Sequence, residues 1–225
     1  MDIQNRPSPN LNDRAKGSHI DMIVLHYTGM QSAEAALKRL CDPESEVSTH
    51  YVVDEAGSIF RLVVEEKRAW HAGISSWQGA SNINDRSIGI EIVNPGHEFG
   101  YQQFPQSQMM SVHNLLREVI LRYQIPPSRV VGHSDIAPAR KQDPGEFFDW
   151  QGLAAEGLAV WPYKAADPVT PADVSEILTE IGYDPDVPLS YAITAFQRRF
   201  VPHAISGKAD LRTRSMIAAV AAIKS

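Results

Sequence analysis

The stretch IDMIVLHYTG, residues 20–29, is the place from which the chain is best read. β-branched and apolar residues run from Ile20 to Tyr27 and stop at Thr28-Gly29, the pattern of a strand that ends in a turn. An imidazole, His26, stands at that strand end. Ser32 then opens a helical stretch with Ala33, Ala36, Leu37 and Leu40 on one face. HYVVDEAGSIFRLV, residues 50–63, reads as two strands around an Asp-Glu-Ala-Gly turn, a hairpin. SIGIEIV, residues 87–93, is a further strand, with Ile88, Ile90 and Ile92 on one face and Gly89, Glu91 and Val93 on the other. Residues 107–124 form an amphipathic helix (Leu115, Leu116, Val119, Ile120, Tyr123) that Pro126-Pro127 stops. RVVGH, residues 129–133, is a short strand, followed by loop-like sequence to about Trp150.

Strands and helices interleave in this way over residues 19–163, which predicts a mixed central β-sheet flanked by helices, an α/β domain. Residues 1–18, with Pro7 and Pro9, read as an extended arm. KAADPVTP, residues 164–171, opens a change of composition. Beyond it, residues 164–225 predict a small unit of three helices. They carry Val174, Ile177, Leu178 and Ile181, then Ile193, Phe196 and Phe200, then Leu211, Met216, Ile217 and Val220. So small a unit needs all three to close a core.

The bulk numbers exclude some functions. Among 225 residues the net charge is −6, the wrong sign for a nucleic-acid or anionic-lipid surface. No apolar run reaches the ~20 residues of a membrane span. The first sixteen residues lack the basic start and apolar core of a secretory signal. On that reading the protein is expected in the cytoplasm, or in the cell envelope if a signal has been removed. Cys41 is the single cysteine, so a metal site here must be built from His and carboxylate.

The chemistry concentrates in GHSDIAPARKQDPGEFFDW, residues 132–150. His133 ends a strand, and Asp143 follows in a loop stiffened by Pro138 and Pro144. Rigid ligands with one open position are what a catalytic metal needs. Two neutral imidazoles, His26 and His133, with one carboxylate suit Zn²⁺ and leave a net positive charge that lowers the pKa of a bound water. Spacing alone leaves the plainer reading open, in which a strand-end His is structural and an Asp before Pro is a turn residue.

Taken together, LHYTG, STHYVVDEAGSIFRLV, WHAG, SIGIEIVN and GHSDIAPARKQDPG resemble the zinc-dependent N-acetylmuramoyl-L-alanine amidases of the type 2 amidase family. The match spans roughly residues 20–150 as five separated motifs in order. The resemblance implies one Zn²⁺ per chain, held by His26, His133 and Asp143. It implies that Lys141 stabilises the oxyanion and Glu91 acts on the attacking water. A carboxylate in the apolar strand 87–93 should have a raised pKa, which suits proton transfer to the leaving amine. Some members carry Tyr where this chain has Thr49, which leaves more of that work to Glu91.

His50 is expected beside the site as a structural or substrate-side group, and Trp70 and His71 in the substrate groove. Arg86, in the polar loop before the Glu91 strand, could meet a peptide carboxylate. His97, His113 and His203 have no partner at useful spacing. AITAFQRRF, residues 192–200, with Gly207, Asp210 and Thr213 at G-x-x-D-x-x-T spacing, resembles the three-helix peptidoglycan-binding module of wall hydrolases. Arg198 and Arg199 would then face solvent or anionic glycopeptide. The function implied is cleavage between N-acetylmuramic acid and L-alanine in peptidoglycan or muropeptides, by a monomer. The alternatives are a non-catalytic peptidoglycan-recognition protein and a two-carboxylate glycosidase using Glu91 and Asp143.

Overall fold

The computed structural model describes residues 2–224. The strands are β1 (Ile3–Asn5), β2 (Leu11–Asp13), β3 (Met22–Tyr27), β4 (Tyr51–Val53), β5 (Ile59–Arg61), β6 (Lys67–Ala69), β7 (Ser87–Ile92) and β8 (Val130–Gly132). The helices are α1 (Ala33–Leu40), α2 (Ile83–Arg86), α3 (Gly96–Phe99), α4 (Gln106–Tyr123), α5 (His133–Ile136), α6 (Trp150–Ala155), α7 (Val174–Ile181), α8 (Leu189–Phe200) and α9 (Leu211–Lys224).

Six strands form one mixed sheet in the order β1-β5-β4-β7-β3-β8. Only the β4–β5 hairpin is antiparallel within it; β3 runs parallel to both β7 and β8. The two faces of the sheet have different work. Ile23, Leu25, Tyr51, Val53, Ile88, Ile90 and Ile92 pack against Val112, Leu115, Leu116 and Val119 of α4. Alternation along β3 and β7 then sends His26 and Glu91 to the opposite face. The two residues are direct register partners on neighbouring strands. One period-2 pattern thus buries a core on one side and presents chemistry on the other.

Within the arm, residues 2–13 carry two short strands, and both are paired. β1 adds to the sheet edge beside β5, and β2 pairs antiparallel with β6. Arg14 pins the arm, donating to the carbonyls of Glu65, Asn84, Asp85 and Ser87 at 2.9–3.0 Å.

The last three helices close around Gln197. Its carboxamide oxygen accepts from the backbone N–H of Ser206 and Gly207, and its nitrogen donates to Thr213 Oγ1 and the Lys208 carbonyl. Asp210 accepts from the Thr213 N–H at the start of α9. The FQ and G-x-x-D-x-x-T residues are therefore a hydrogen-bonded splice between α8 and α9. The apolar core of these helices also takes in Met22, Val24, Trp77, Val131 and Ile136 from the sheet side.

Candidate metal centre

His26 leaves the end of β3, His133 begins α5 directly after β8, and Asp143 sits in the following loop. Gly132 permits this convergence. A Cβ there would lie 2.7 Å from Pro144 Cδ, so only glycine lets the Asp143-Pro144 segment close onto the strand. The peptide between Asp143 and Pro144 is cis. The Ser134 N–H donates to the Asp143 carbonyl at 2.9 Å, which ties the segments that carry His133 and Asp143 together.

The three side chains form a tight triangle. His26 Nδ1 and His133 Nδ1 are 2.9 Å apart, and each lies 3.0 Å from Asp143 Oδ2. His26 and His133 are 1% and 3% exposed and Asp143 is 6% exposed. The hydrogen-bond pattern assigns the tautomers. His133 Nε2 lies 3.1 Å from the Ala72 carbonyl, which only accepts, so in the neutral ring the proton is on Nε2 and Nδ1 is bare. His26 is fixed through a longer chain. Ser87 Oγ donates to the Ile83 carbonyl at 2.6 Å, and His71 Nε2 donates back to Ser87 Oγ at 3.2 Å. His71 Nδ1 must then accept, and His26 Nε2, 3.1 Å away, donates to it. His26 Nδ1 is left bare as well.

Two imidazole lone pairs and a carboxylate oxygen therefore face one another within about 3 Å. Protons cannot satisfy all three contacts in these tautomers, whereas a single cation can. This is the test the donor set passes as a metal site, and among the described residues these three are the His/Cys/Asp/Glu group whose ligand atoms converge. The electrostatics agree. Burial, helped by His133, pushes the His26 imidazole down to about 4, so it is neutral and free to ligate.

His133 and Asp143 face a cavity of about 560 Å³ that Tyr27, Trp70, His71, Glu91 and Lys141 also line. Glu91 Oε2 is buried without a hydrogen-bond partner. Burial pushes this carboxyl well above its ordinary value; Asp143 adds to the shift and Lys141 opposes it. The cavity thus holds a buried, protonatable carboxyl and the Lys141 side chain on the same walls as His133 and Asp143.

The family description N-acetylmuramoyl-L-alanine amidase (Amidase_2) matches residues 16–146, which carry all of these groups. The chain belongs to this amidase family. Its members are in general zinc-dependent. N-acetylmuramoyl-L-alanine amidase AmiD of Escherichia coli is 38% identical, over 89% of this chain and 82% of the relative. The 1,6-anhydro-N-acetylmuramyl-L-alanine amidase AmpD of Haemophilus influenzae is 32% identical over 67% of this chain and 89% of its own. Among solved structures, AmiD from E. coli with anhydro-N-acetylmuramic acid-L-Ala-D-γ-Glu-L-Lys superimposes with a TM-score of 0.80 at 36% identity. The match covers 93% of this chain and 92% of that one. AmpDH3 from Pseudomonas aeruginosa with anhydromuramic pentapeptide gives a TM-score of 0.82 at 30% identity, covering 95% and 96%.

Other residues of this amidase singled out by sequence fall in several places. Trp70 lines the cavity and anchors its indole N–H on Asn12 of the arm at 2.6 Å. His71 lines the cavity too, yet its ring stands behind His26. That ring rests on Gly89, where a Cβ would come within 2.5 Å of it. His50 is fully buried, with Nδ1 accepting from the Gly89 N–H and Nε2 near the Lys67 carbonyl and Arg14. It touches the ring of His71 and none of the three convergent atoms. Arg86 lies outside the cavity, its guanidinium paired with Asp21, which Arg129 also meets.

The contacts that several residues make carry no mark in the sequence. The WHAG segment backs both imidazoles, through the His71 ring and the Ala72 carbonyl. Asn84 Oδ1 holds it by accepting from the N–H groups of His71 and Ala72. His97, read as partnerless, receives the Tyr27 hydroxyl at 2.9 Å and faces Glu146 at 3.1 Å through its other nitrogen. Arg198 and Arg199, read as solvent-facing, are 8% and 6% exposed. The first two cases pair residues far apart in sequence, which periodicity does not reveal. In the third, the helix face that looked polar is covered by the 132–146 loop.

Proposed function

We propose that the chain is a zinc-dependent amidase that hydrolyses the bond between N-acetylmuramic acid and L-alanine in peptidoglycan or its muropeptide fragments. The observation that carries this reading is the buried triangle of two bare imidazole nitrogens and one carboxylate oxygen, beside a cavity with Glu91 and Lys141. His26, His133 and Asp143 would hold one Zn²⁺. Zinc bound there supplies Lewis acidity and a water of lowered pKa at neutral pH.

The chain's own groups do the rest. Glu91, with its raised pKa and unpartnered oxygen, takes a proton from the attacking water and returns it to the leaving L-alanine nitrogen. Lys141, two residues before Asp143, offers a fixed positive charge to the oxygen of the scissile carbonyl as it becomes anionic. Trp70 and Tyr27 give the cavity aromatic walls against which a sugar or peptide face can lie. Arg86, paired with Asp21, is left out of this assignment. His50 and His71 act behind the site rather than on substrate. The chain is organised as an arm (1–18), a catalytic part (19–163) and a helical part (164–225), and it acts as a monomer.

The relatives with bound anhydromuramyl peptides make a small muropeptide the first substrate to try. Purified anhydromuropeptides and intact sacculi are digested and the products weighed. Free stem peptide with an unmodified sugar is the expected product, and its release should stop with a chelator and return with Zn²⁺. A cut between sugars that survives chelation would refute the amidase reading.

A further inference from the structure

Arg198 and Arg199 are neighbours on α8, outside the segment that the amidase family description covers. Both reach into the loop that follows β8. Arg199 Nη1 lies 3.0 Å from Asp135 Oδ2, an ion pair whose side chains are 5% and 1% exposed. Asp135 is the third residue of α5, and the same Oδ2 accepts from the Gly132 N–H at 2.9 Å, immediately before His133. Its other oxygen accepts from the Tyr183 hydroxyl at 2.8 Å. The Arg199 guanidinium is in turn stacked 3.9 Å over the ring of Trp150. Its charge, its plane and its hydrogen bond are thus all engaged at once.

Arg198 takes the other end of the same loop. Its Nη2 donates to Gln142 Oε1 at 3.3 Å and its Nε lies 3.6 Å from Glu146 Oε2, so its contacts bracket Asp143. Glu146 continues through His97 to Tyr27 on the cavity wall. Two successive helix residues therefore hold the turn that presents His133 and the loop that presents Asp143.

We propose that Arg198 and Arg199 are positioning residues, and that the C-terminal helices set the geometry and zinc affinity of the metal site by clamping residues 132–146. The proposal rests on the ligand assignment above. Its physical basis is that a buried carboxylate such as Asp135 has no solvent to turn to if its cation is removed. It must move, and the Gly132 N–H, and with it His133, moves too. The Ser134–Asp143 backbone hydrogen bond passes the displacement to the second ligand.

The test uses the full chain. Zinc affinity is measured by chelator competition for wild type, Arg199→Met, Asp135→Asn, the double variant and Arg198→Met. Amide hydrogen exchange over residues 132–146 is followed in the zinc-free proteins. Ile217→Ala is the control, a fully buried residue in the core of the same helices. Arg199→Met and Asp135→Asn should each weaken zinc binding about 10–100-fold, the range seen when groups behind a metal ligand are lost. The double variant should be no weaker than the worse single. Exchange should quicken in 132–146 and not in β3 or β7. Ile217→Ala should lower Tm while leaving zinc affinity and loop exchange as in wild type. If Arg199→Met fails to fold, Arg198→Met decides by the same two readouts. Unchanged affinity and exchange in the arginine variants would overturn the proposal, as would an equal loss in Ile217→Ala. A wild type without zinc affinity would refute the ligand assignment instead, and loop exchange would then decide the clamp.

Discussion

Replacing His71 by Phe should weaken zinc binding without emptying the space that His71 fills. The phenyl ring can lie over Gly89 as the imidazole does, where the approach is close enough to exclude any side chain at position 89. What is lost is the acceptor for His26 Nε2–H. His26 is 1% exposed, so the orphaned donor has no water to turn to, at a cost of about 1–3 kcal/mol. Ser87 Oγ keeps its donation to the Ile83 carbonyl and loses only an incoming bond. The ring can escape the cost by moving its proton to Nδ1, but that occupies the lone pair a metal requires. The orphaned donor lowers stability in both states and weakens zinc because the metal-bound ring loses the partner of its polarised N–H, while the tautomer shift competes with the metal directly; the loss expected is about 10–100-fold in Kd or roughly 1.4–2.7 kcal/mol. His71→Asn restores an acceptor at the δ position and should recover most of the affinity. Chelator competition measures Kd, and long-range ¹⁵N–¹H NMR of the zinc-free protein reads the His26 tautomer. A His71→Phe protein with the wild-type Kd and an unprotonated His26 Nδ1 would refute the tautomer chain.

Glu91→Gln should lower turnover about 10²–10⁴-fold, the usual worth of a general acid–base group, with zinc content unchanged. It should also alter stability in a pH-dependent way. The Glu91 carboxyl titrates well above its ordinary value of 4.5 in the folded chain, so the folded state holds the proton more tightly than the unfolded one. Stability from this group is full below that ordinary value and is lost as pH rises toward the folded pKa. Zinc-free Glu91→Gln should therefore be more stable than zinc-free wild type in urea at neutral pH, with the difference closing near pH 4; a pH-independent difference would contradict the assignment. Lys141→Met should keep zinc and lose about 10²–10³-fold in kcat, as removal of an oxyanion partner does; near-normal kcat would remove Lys141 from the reaction.

Much of this protein is legible in one dimension because its strands and helices have strict periods. The alternation of Ile88, Ile90 and Ile92 with Gly89 and Glu91 is enough by itself to put the core and the carboxylate on opposite faces. Ser32 caps α1 as read, with its hydroxyl accepting from the Ala35 N–H. His26, His133 and Asp143 stand out because motifs of the family surround them. What the sequence could not contain is which groups stand behind them. The partners of His26 and His133 come from residues 71–72, held by Asn84, and no local pattern marks a carbonyl such as that of Ala72 as a partner for an imidazole. Arg198 and Arg199 show the same limit from the other side. On a helical wheel a charged pair reads as solvated, because propensity and period carry no information about what packs on that face. Only tertiary structure brings Asp135, Gln142 and Glu146 to those guanidiniums. Composition and period determined the elements and the metal-binding residue types; the tautomers, the clamp and the cavity were decided by contacts between segments far apart in the chain, since a buried polar group must find its partner wherever the fold puts one.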